Sequence, residues 1–111
     1  MNEDYHPIFT VKFRLLTAEE GGRHTPIFNG YRPQWKILRE DGTSGHHDAM
    51  FQSLDKDPLL PGEKSDAEIE PFFPHFWVAV RPGMTIGTFE GAHQVGVAEV
   101  LTVPADLHER T

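Results

Sequence analysis

Apolar and polar residues alternate along several short segments of this chain. Residues 9–15 place an apolar side chain at every second position, which predicts a strand with one buried face. Five further strands are predicted at residues 31–38, 49–54, 65–69, 84–89 and 94–103, with 49–54 the weakest pattern. Ten glycines and nine prolines separate these segments, and no segment sustains a helical period. The pattern indicates an all-β domain, either a small closed barrel or a sandwich.

Turn-forming residues fix several boundaries between the predicted strands. Pro33 lies inside the second segment, so we expect an edge or a bulge there. Residues 40–42, Glu-Asp-Gly, predict a hairpin, and residues 60–62, Leu-Pro-Gly, predict a turn. A continuous apolar run at 76–80 ends at the breaker Arg-Pro-Gly of 81–83.

The length of 111 residues is that of one domain, which we expect to span residues 8–103 between loose tails at 1–7 and 104–111. The absence of cysteine excludes disulfides and thiolate metal sites. No apolar run approaches the roughly 20 residues that span a bilayer. The start of the chain is acidic, unlike a signal peptide. We therefore expect a soluble, cytoplasmic protein with no membrane contact.

The net charge of −7 is unevenly distributed. Residues 12–39 contain six Lys or Arg and two acids, whereas residues 40–70 contain nine acids and two Lys. The acidic total argues against general nucleic-acid binding, because that binding depends on neutralising phosphates. The basic first third leaves a local binding patch open, and a solvated surface is the simpler interpretation.

The histidines and the glycine-rich turns predict no catalytic, metal or cofactor site. His46 and His47 are adjacent, so on a strand they face opposite ways, and Asp48 alone completes neither a metal site nor a catalytic triad. Residues 62–65, Gly-Glu-Lys-Ser, are not a phosphate loop, because Asp57 stands where its first glycine is required. We expect no nucleotide binding. A histidine-dependent enzyme or metal protein is a hypothesis with little support, and it ranks below the two binding functions described next.

The segment 18–35, AEEGGRHTPIFNGYRPQW, contains an ordered string of Gly, Pro, Arg, His and aromatic residues. It closely resembles the turn and strand that open the C-terminal, third domain of translation elongation factor Tu. Weaker similarities follow at residues 60–63, 70–71 and 85–100, so the resemblance spans about 9–103. It implies a free-standing six-stranded antiparallel β-barrel without the family's GTPase domain.

In that family the domain grips the T-arm backbone of aminoacyl-tRNA, packs on the GTPase domain and meets the nucleotide-exchange partner. The resemblance places four residues where the family has tRNA-facing groups: Arg23, His24, Gln34 and Thr43. The chain departs from the family at three positions where the family has basic residues: Glu70, Phe89 and His93. It also has extra residues at 72–79.

We therefore expect a non-catalytic binding module that docks a protein partner, with the translation machinery as its source. The partner-binding or RNA-binding candidates are Arg23, His24, Tyr31, Arg32, Gln34 and Thr43. A second, apolar docking patch is predicted at Phe72, Phe73, Phe76 and Trp77, unless these residues belong to the core.

Two alternatives remain open at this point. The first is weak binding of tRNA or another RNA backbone through Arg23, His24, Gln34 and Thr43. The second gives the 18–35 segment an internal role only: Arg23 would pair with Glu19 or Glu20, and His24 and Thr25 would cap the turn.

Overall fold

Six antiparallel strands close into a barrel in the computed structural model, which describes residues 5–110. The strand order around the barrel is β1-β4-β3-β2-β5-β6, and β6 pairs back onto β1. The predicted all-β class and the six-stranded antiparallel barrel are confirmed. The strands are β1 (Phe9–Leu15), β2 (Gln34–Leu38), β3 (Ser44–Leu54), β4 (Lys64–Pro71), β5 (Thr85–Glu90) and β6 (His93–Thr102).

Large aromatic side chains fill the interior of the barrel. The alternation in β1 directs Phe9 and Phe13 inward, where both are fully buried. The ring of Phe13 lies 4.9 Å from that of Phe51, and Trp35 lies 5.9 Å from Trp77. Burying a side chain of this size contributes about 1.5–3 kcal/mol, so these rings supply much of the stabilisation of the closed barrel.

Strand boundaries differ from the predictions where polar residues or proline intervene. β1 has the predicted bounds. β2 begins after Pro33, which lacks the N–H that a ladder needs and so precedes the strand rather than forming a bulge inside it. β3 begins five residues before the prediction, because Ser-Gly-His-His-Asp at 44–48 lacks apolar alternation.

The apolar run at 76–80 is not a strand. Its first residues belong to a short 3-10 helix, Pro74–Trp77, which connects β4 to β5. This helix lies at the end of the barrel where β1 begins, together with the β2–β3 hairpin. The turn that follows β1 and the β5–β6 hairpin lie at the opposite end, and residues 30–31 bond to Phe51 along β3.

Parts of both predicted tails pack on the barrel. The Tyr5 hydroxyl donates to Asp106 Oδ1 at 3.0 Å. Leu107 begins a four-residue helix, α1 (Leu107–Arg110), and is 1% exposed. For residues 1–4 and 111, which lie outside the described residues, the loose tails remain a prediction. Within residues 5–110, no helix combines the length and the apolar character that crossing a bilayer requires.

Candidate functional site

The turn that follows β1 is closed by a carboxylate. Glu20 accepts hydrogen bonds from Arg14 Nη1 and Nη2, at 2.8 and 2.9 Å, and from the Thr17 N–H at 2.9 Å. In return the Thr17 hydroxyl accepts from the Glu20 N–H at 3.1 Å. The bonds from Arg14 and then Thr17 lower the pKa of Glu20 to about 2. Glu20 therefore serves to hold the turn in shape.

Arg23 reaches from the same loop to the end of β5. Its Nη1 donates to Glu90 Oε2, and the Tyr31 hydroxyl donates to the same oxygen at 2.6 Å. The guanidinium also lies over the Tyr31 ring, 5.2 Å from its centre, and its Nη2 donates to the Thr25 hydroxyl at 2.9 Å. The Glu90 carboxylate thus accepts hydrogen bonds from an arginine and a tyrosine of the 18–35 segment.

The ion pair of Arg23 in the structure differs from the one predicted for an internal role of this segment. Arg23 pairs with Glu90 rather than with Glu19 or Glu20, because Glu20 is already bound by Arg14. Thr25 accepts its bond from Arg23. His24 is exposed, and among residues 5–110 it has no side-chain hydrogen bond.

The electrostatics of the Arg23–Tyr31–Glu90 group favour a closed ion pair. Burial and then the hydrogen bond to Glu90 raise the pKa of Tyr31, so it keeps its proton. Burial opposes ionisation of Glu90, but hydrogen bonds from Tyr31 and Arg23 outweigh it and lower its pKa. The Arg23 side chain is only 25% exposed. The Glu90 side chain is 39% exposed, so the two charges pair at the surface of the fold.

The remaining RNA-facing candidates lie apart. Gln34 is the first residue of β2 and pairs with Phe89, next to Glu90. Thr43 lies in the hairpin beyond the other end of β2, where it accepts from Arg39 Nη1 at 2.9 Å. A strand rises about 3.3 Å per residue, so roughly 15 Å separates Gln34 from Thr43. The structure brings Arg23, Tyr31 and Gln34 to one region and leaves Thr43 outside it.

The predicted apolar patch divides into surface and core. Trp77 is fully buried and lies 5.4 Å from Phe9, so its place in a docking patch is corrected to a place in the core. Phe72 and Phe73 are 39% and 52% exposed. The guanidinium of Arg32 lies over the Phe72 ring, 5.1 Å from its centre. We call Arg32, Phe72 and Phe73 the Arg32–Phe73 surface.

Phe76 anchors this surface to the barrel. Its half-buried ring stacks on His47 and contacts His75, in both cases with ring centres 4.1 Å apart. Arg39 Nε donates to His47 Nε2 at 3.0 Å. Burial and then the charge of Arg39 lower the pKa of His47, which stays neutral and accepts this bond. Phe73 contacts Phe76 edge to face at 6.5 Å.

Sequence reasoning missed this histidine–arginine–phenylalanine contact, because the residues belong to β3, the β2–β3 hairpin and the 3-10 helix. His46 stacks instead on Phe89 at 4.6 Å, as expected for neighbours that face opposite ways on a strand. Over residues 5–110 no three His, Cys, Asp or Glu side chains form a group suited to a metal ion.

A search against models of known protein families finds none that matches this chain.

Proposed function

We propose that the domain is a non-catalytic binding module that docks a protein partner through the Arg32–Phe73 surface. The observation that carries the proposal is the pair of adjacent, exposed phenylalanines, Phe72 and Phe73, held beside the rigid wall of a closed barrel. Exposed aromatic side chains are typical anchors of protein interfaces, because they fill pockets on the partner at little entropic cost.

Arg32 defines the chemistry that such a partner needs. In the described chain Arg32 has no salt bridge, and its guanidinium rests on the Phe72 ring. A stacked guanidinium keeps its donors free at the edge, where it can bind a carboxylate with two hydrogen bonds. The partner surface is therefore an apolar pocket beside an acidic side chain. The resemblance to an elongation factor domain favours the translation machinery as its source.

The RNA alternative draws less support from the geometry. It requires Arg23 to leave Glu90, and it requires Gln34 and Thr43 to act together across the length of β2. The net charge of −7 also opposes a phosphate backbone. The histidine-dependent alternative gains no support from residues 5–110, where no three His, Cys, Asp or Glu side chains form a group suited to a metal ion and His46 and His47 stack on different aromatic rings.

Affinity capture with matched variants tests the proposal. The wild-type domain, the double variant Phe72→Ser/Phe73→Ser and the control Leu60→Ala, at another exposed apolar residue, are immobilised and exposed to the same lysate. We expect a protein that binds the wild type and Leu60→Ala and is absent from the double variant. With that protein purified, Arg32→Glu should weaken binding about tenfold or more.

Capture of the same proteins by all three domains would contradict the proposal. Titration with bulk tRNA at several salt concentrations addresses the alternative. Binding that weakens steeply with salt and is lost in Arg23→Ala would establish the RNA function instead.

A further inference from the structure

His47 lies at one end of the barrel, between the core and the 3-10 helix. Ala49 and Phe51 of β3 point into the core, so by the alternation of a strand His47 points to the same side. The residue opposite His47 in the ladder is Trp35, which is fully buried. Phe76 of the 3-10 helix stacks on the imidazole, and the two ring planes are only 14° apart. His47 is therefore a contact through which the barrel holds the 3-10 helix.

The hydrogen bond from Arg39 requires a neutral His47. Arg39 Nε carries a hydrogen and can only donate, so His47 Nε2 accepts with its lone pair and the imidazole proton is on Nδ1. The guanidinium is itself held in place, because Nη1 donates to the Thr43 hydroxyl at 2.9 Å and to the Ser44 carbonyl at 3.3 Å. A proton on Nε2 would replace the lone pair with a second donor and place two positive charges side by side. Protonated His47 cannot keep the position of the neutral ring.

The other ionisable groups around His47 do not compensate such a charge. They come from β3, the β2–β3 hairpin and the 3-10 helix: His46, Asp48, Glu40, Asp41 and His75. His46 and His75 disfavour a charged His47. Asp48 favours it, but as the next residue of β3 it points to the opposite side of the strand. Asp41 is bound by the Thr43 N–H and hydroxyl, and no salt bridge among residues 5–110 includes His47.

Phe76 connects His47 to the Arg32–Phe73 surface. Phe73 contacts the Phe76 ring edge to face, and the Arg39 guanidinium lies 5.9 Å from the centre of the same ring. A phenyl ring accepts a cation on its face, so the stack on Phe76 does not itself oppose protonation of His47. The opposition comes from Arg39. When the imidazole turns away from Arg39, its parallel stack on Phe76 is lost, and Phe73 loses the support of a fixed neighbour.

We propose that His47 is a pH-sensitive switch for the Arg32–Phe73 surface. Neutral His47 holds Phe76 and Phe73 in the arrangement that the partner binds, and protonated His47 releases them. The partner therefore binds more weakly in mildly acidic solution. This inference rests on the proposed function, because it concerns the same docking surface, but the switch itself belongs to the free domain.

A pH titration of the free domain by NMR tests the switch without a partner. We expect the Nδ1–H tautomer of His47 near neutral pH, and ring signals of Phe73 and Phe76 that shift with the same midpoint as His47 when the pH falls. That midpoint should lie below about 6.5, the ordinary value for histidine, because burial and then the charge of Arg39 lower the pKa of His47. Phenylalanine signals that stay constant while His47 titrates would overturn the proposal.

Three variants separate His47 from its histidine neighbours. His47→Gln keeps an acceptor for Arg39 Nε but does not titrate, so the response of the phenylalanine signals to pH should disappear. His46→Gln, at the residue that stacks on Phe89, should keep the response. A response that survives in His47→Gln would overturn the proposal, and its loss in His75→Gln would then assign the switch to that residue. If His47→Gln does not fold, the titration of the wild type decides by itself.

The partner obtained by affinity capture supplies a second readout. One proton is linked to binding, so the Kd can rise by at most about tenfold per unit of pH. Between about pH 7 and pH 5.5 we expect a rise of about tenfold for the wild type and no rise for His47→Gln. The same pH dependence in both proteins would overturn the switch. Capture of no partner would instead overturn the proposed function, and the NMR titration would still decide whether the switch exists.

Discussion

Two arginines of this domain lie over aromatic rings at nearly the same distance, yet their surroundings differ. Arg23 is 5.2 Å from the centre of the Tyr31 ring, and Arg32 is 5.1 Å from that of Phe72. Glu90 binds both members of the first pair. In the described structure the second pair has no carboxylate and lies on the surface. Whether an arginine–aromatic pair stabilises the fold or remains available to a partner thus depends on whether a neighbouring strand supplies a carboxylate, as β5 does with Glu90.

The sequence predicts both arginines as binding candidates, and the structure gives them different surroundings. Arg23 belongs to the most specific motif of the chain, but its donors are used inside the fold. Arg32 belongs to the same segment, and in the described structure its guanidinium forms no salt bridge. Substitutions around Arg23 and around Arg32 can test whether the first pair stabilises the fold and the second does not.

The largest expected effect concerns the segment that carries Phe72. Trp77→Ala should lower the free energy of unfolding by about 3–5 kcal/mol, because it empties a fully buried site between Phe9 and Trp35. Phe73→Ala, in the same segment but exposed, should change it by no more than about 0.5 kcal/mol. Urea denaturation measures both values. Similar losses would show that Phe73 belongs to the core.

A smaller loss is expected when the charge of Glu90 is removed. Glu90→Gln keeps the shape but weakens the bonds from Arg23 and Tyr31, and it should cost about 1–2 kcal/mol. Glu99→Gln, at an exposed position of β6, is the matched control and should be nearly neutral. If the two variants are equally stable, the hydrogen bonds of Arg23 and Tyr31 to Glu90 do not stabilise the fold.

The pH dependence of Tyr31 provides a third test. Its pKa is raised in the folded state, so the folded protein keeps a proton that the unfolded chain releases near pH 10. The stability that depends on Tyr31 is therefore complete below about pH 10 and falls as the pH rises further. Tyr31→Phe should cost about 1 kcal/mol at neutral pH, and this deficit should shrink above pH 10. A deficit independent of pH would contradict the assignment.

The smallest effect on stability should come from Arg32. Arg32→Gln should leave the free energy of unfolding within about 0.5 kcal/mol of wild type, because it removes a surface contact and no ion pair. Arg23→Gln should cost clearly more, since it leaves Glu90 with one donor fewer. Thermal or urea unfolding of the two variants, made side by side, compares the arginines directly. Equal costs would remove the distinction between them.

Alternation of apolar and polar residues predicts a strand and its bounds correctly where one face of the strand is apolar. β1 follows its alternation residue for residue. The polar start of β3 was missed because 44–48 joins the sheet through backbone pairing with β2, which leaves no apolar signal. The 76–80 run was ambiguous for the opposite reason, since a buried 3-10 helix is as apolar as a strand.

The residues of the candidate site were named from the sequence, but their contacts were not. Tyr31 and Arg32 were named without their partners, Glu90 and Phe72. Glu90 is the last residue of β5 and Phe72 directly follows β4, and the register that brings them close is set by the whole barrel. A sequence gives only the separation along the chain, so it predicts the nearby acids Glu19 and Glu20 as partners of Arg23.

The closure of β6 onto β1 has a consequence for how the domain acquires its structure. Thr10 pairs with Thr102, and Phe9 pairs with Ile69, so the first strand finds its neighbours only among residues made much later. Such non-local pairing is typical of domains that fold in roughly milliseconds to seconds. During synthesis on a ribosome, one edge of β1 therefore has no partner until the final strand emerges. Until then β1 is an edge strand with unpaired backbone groups.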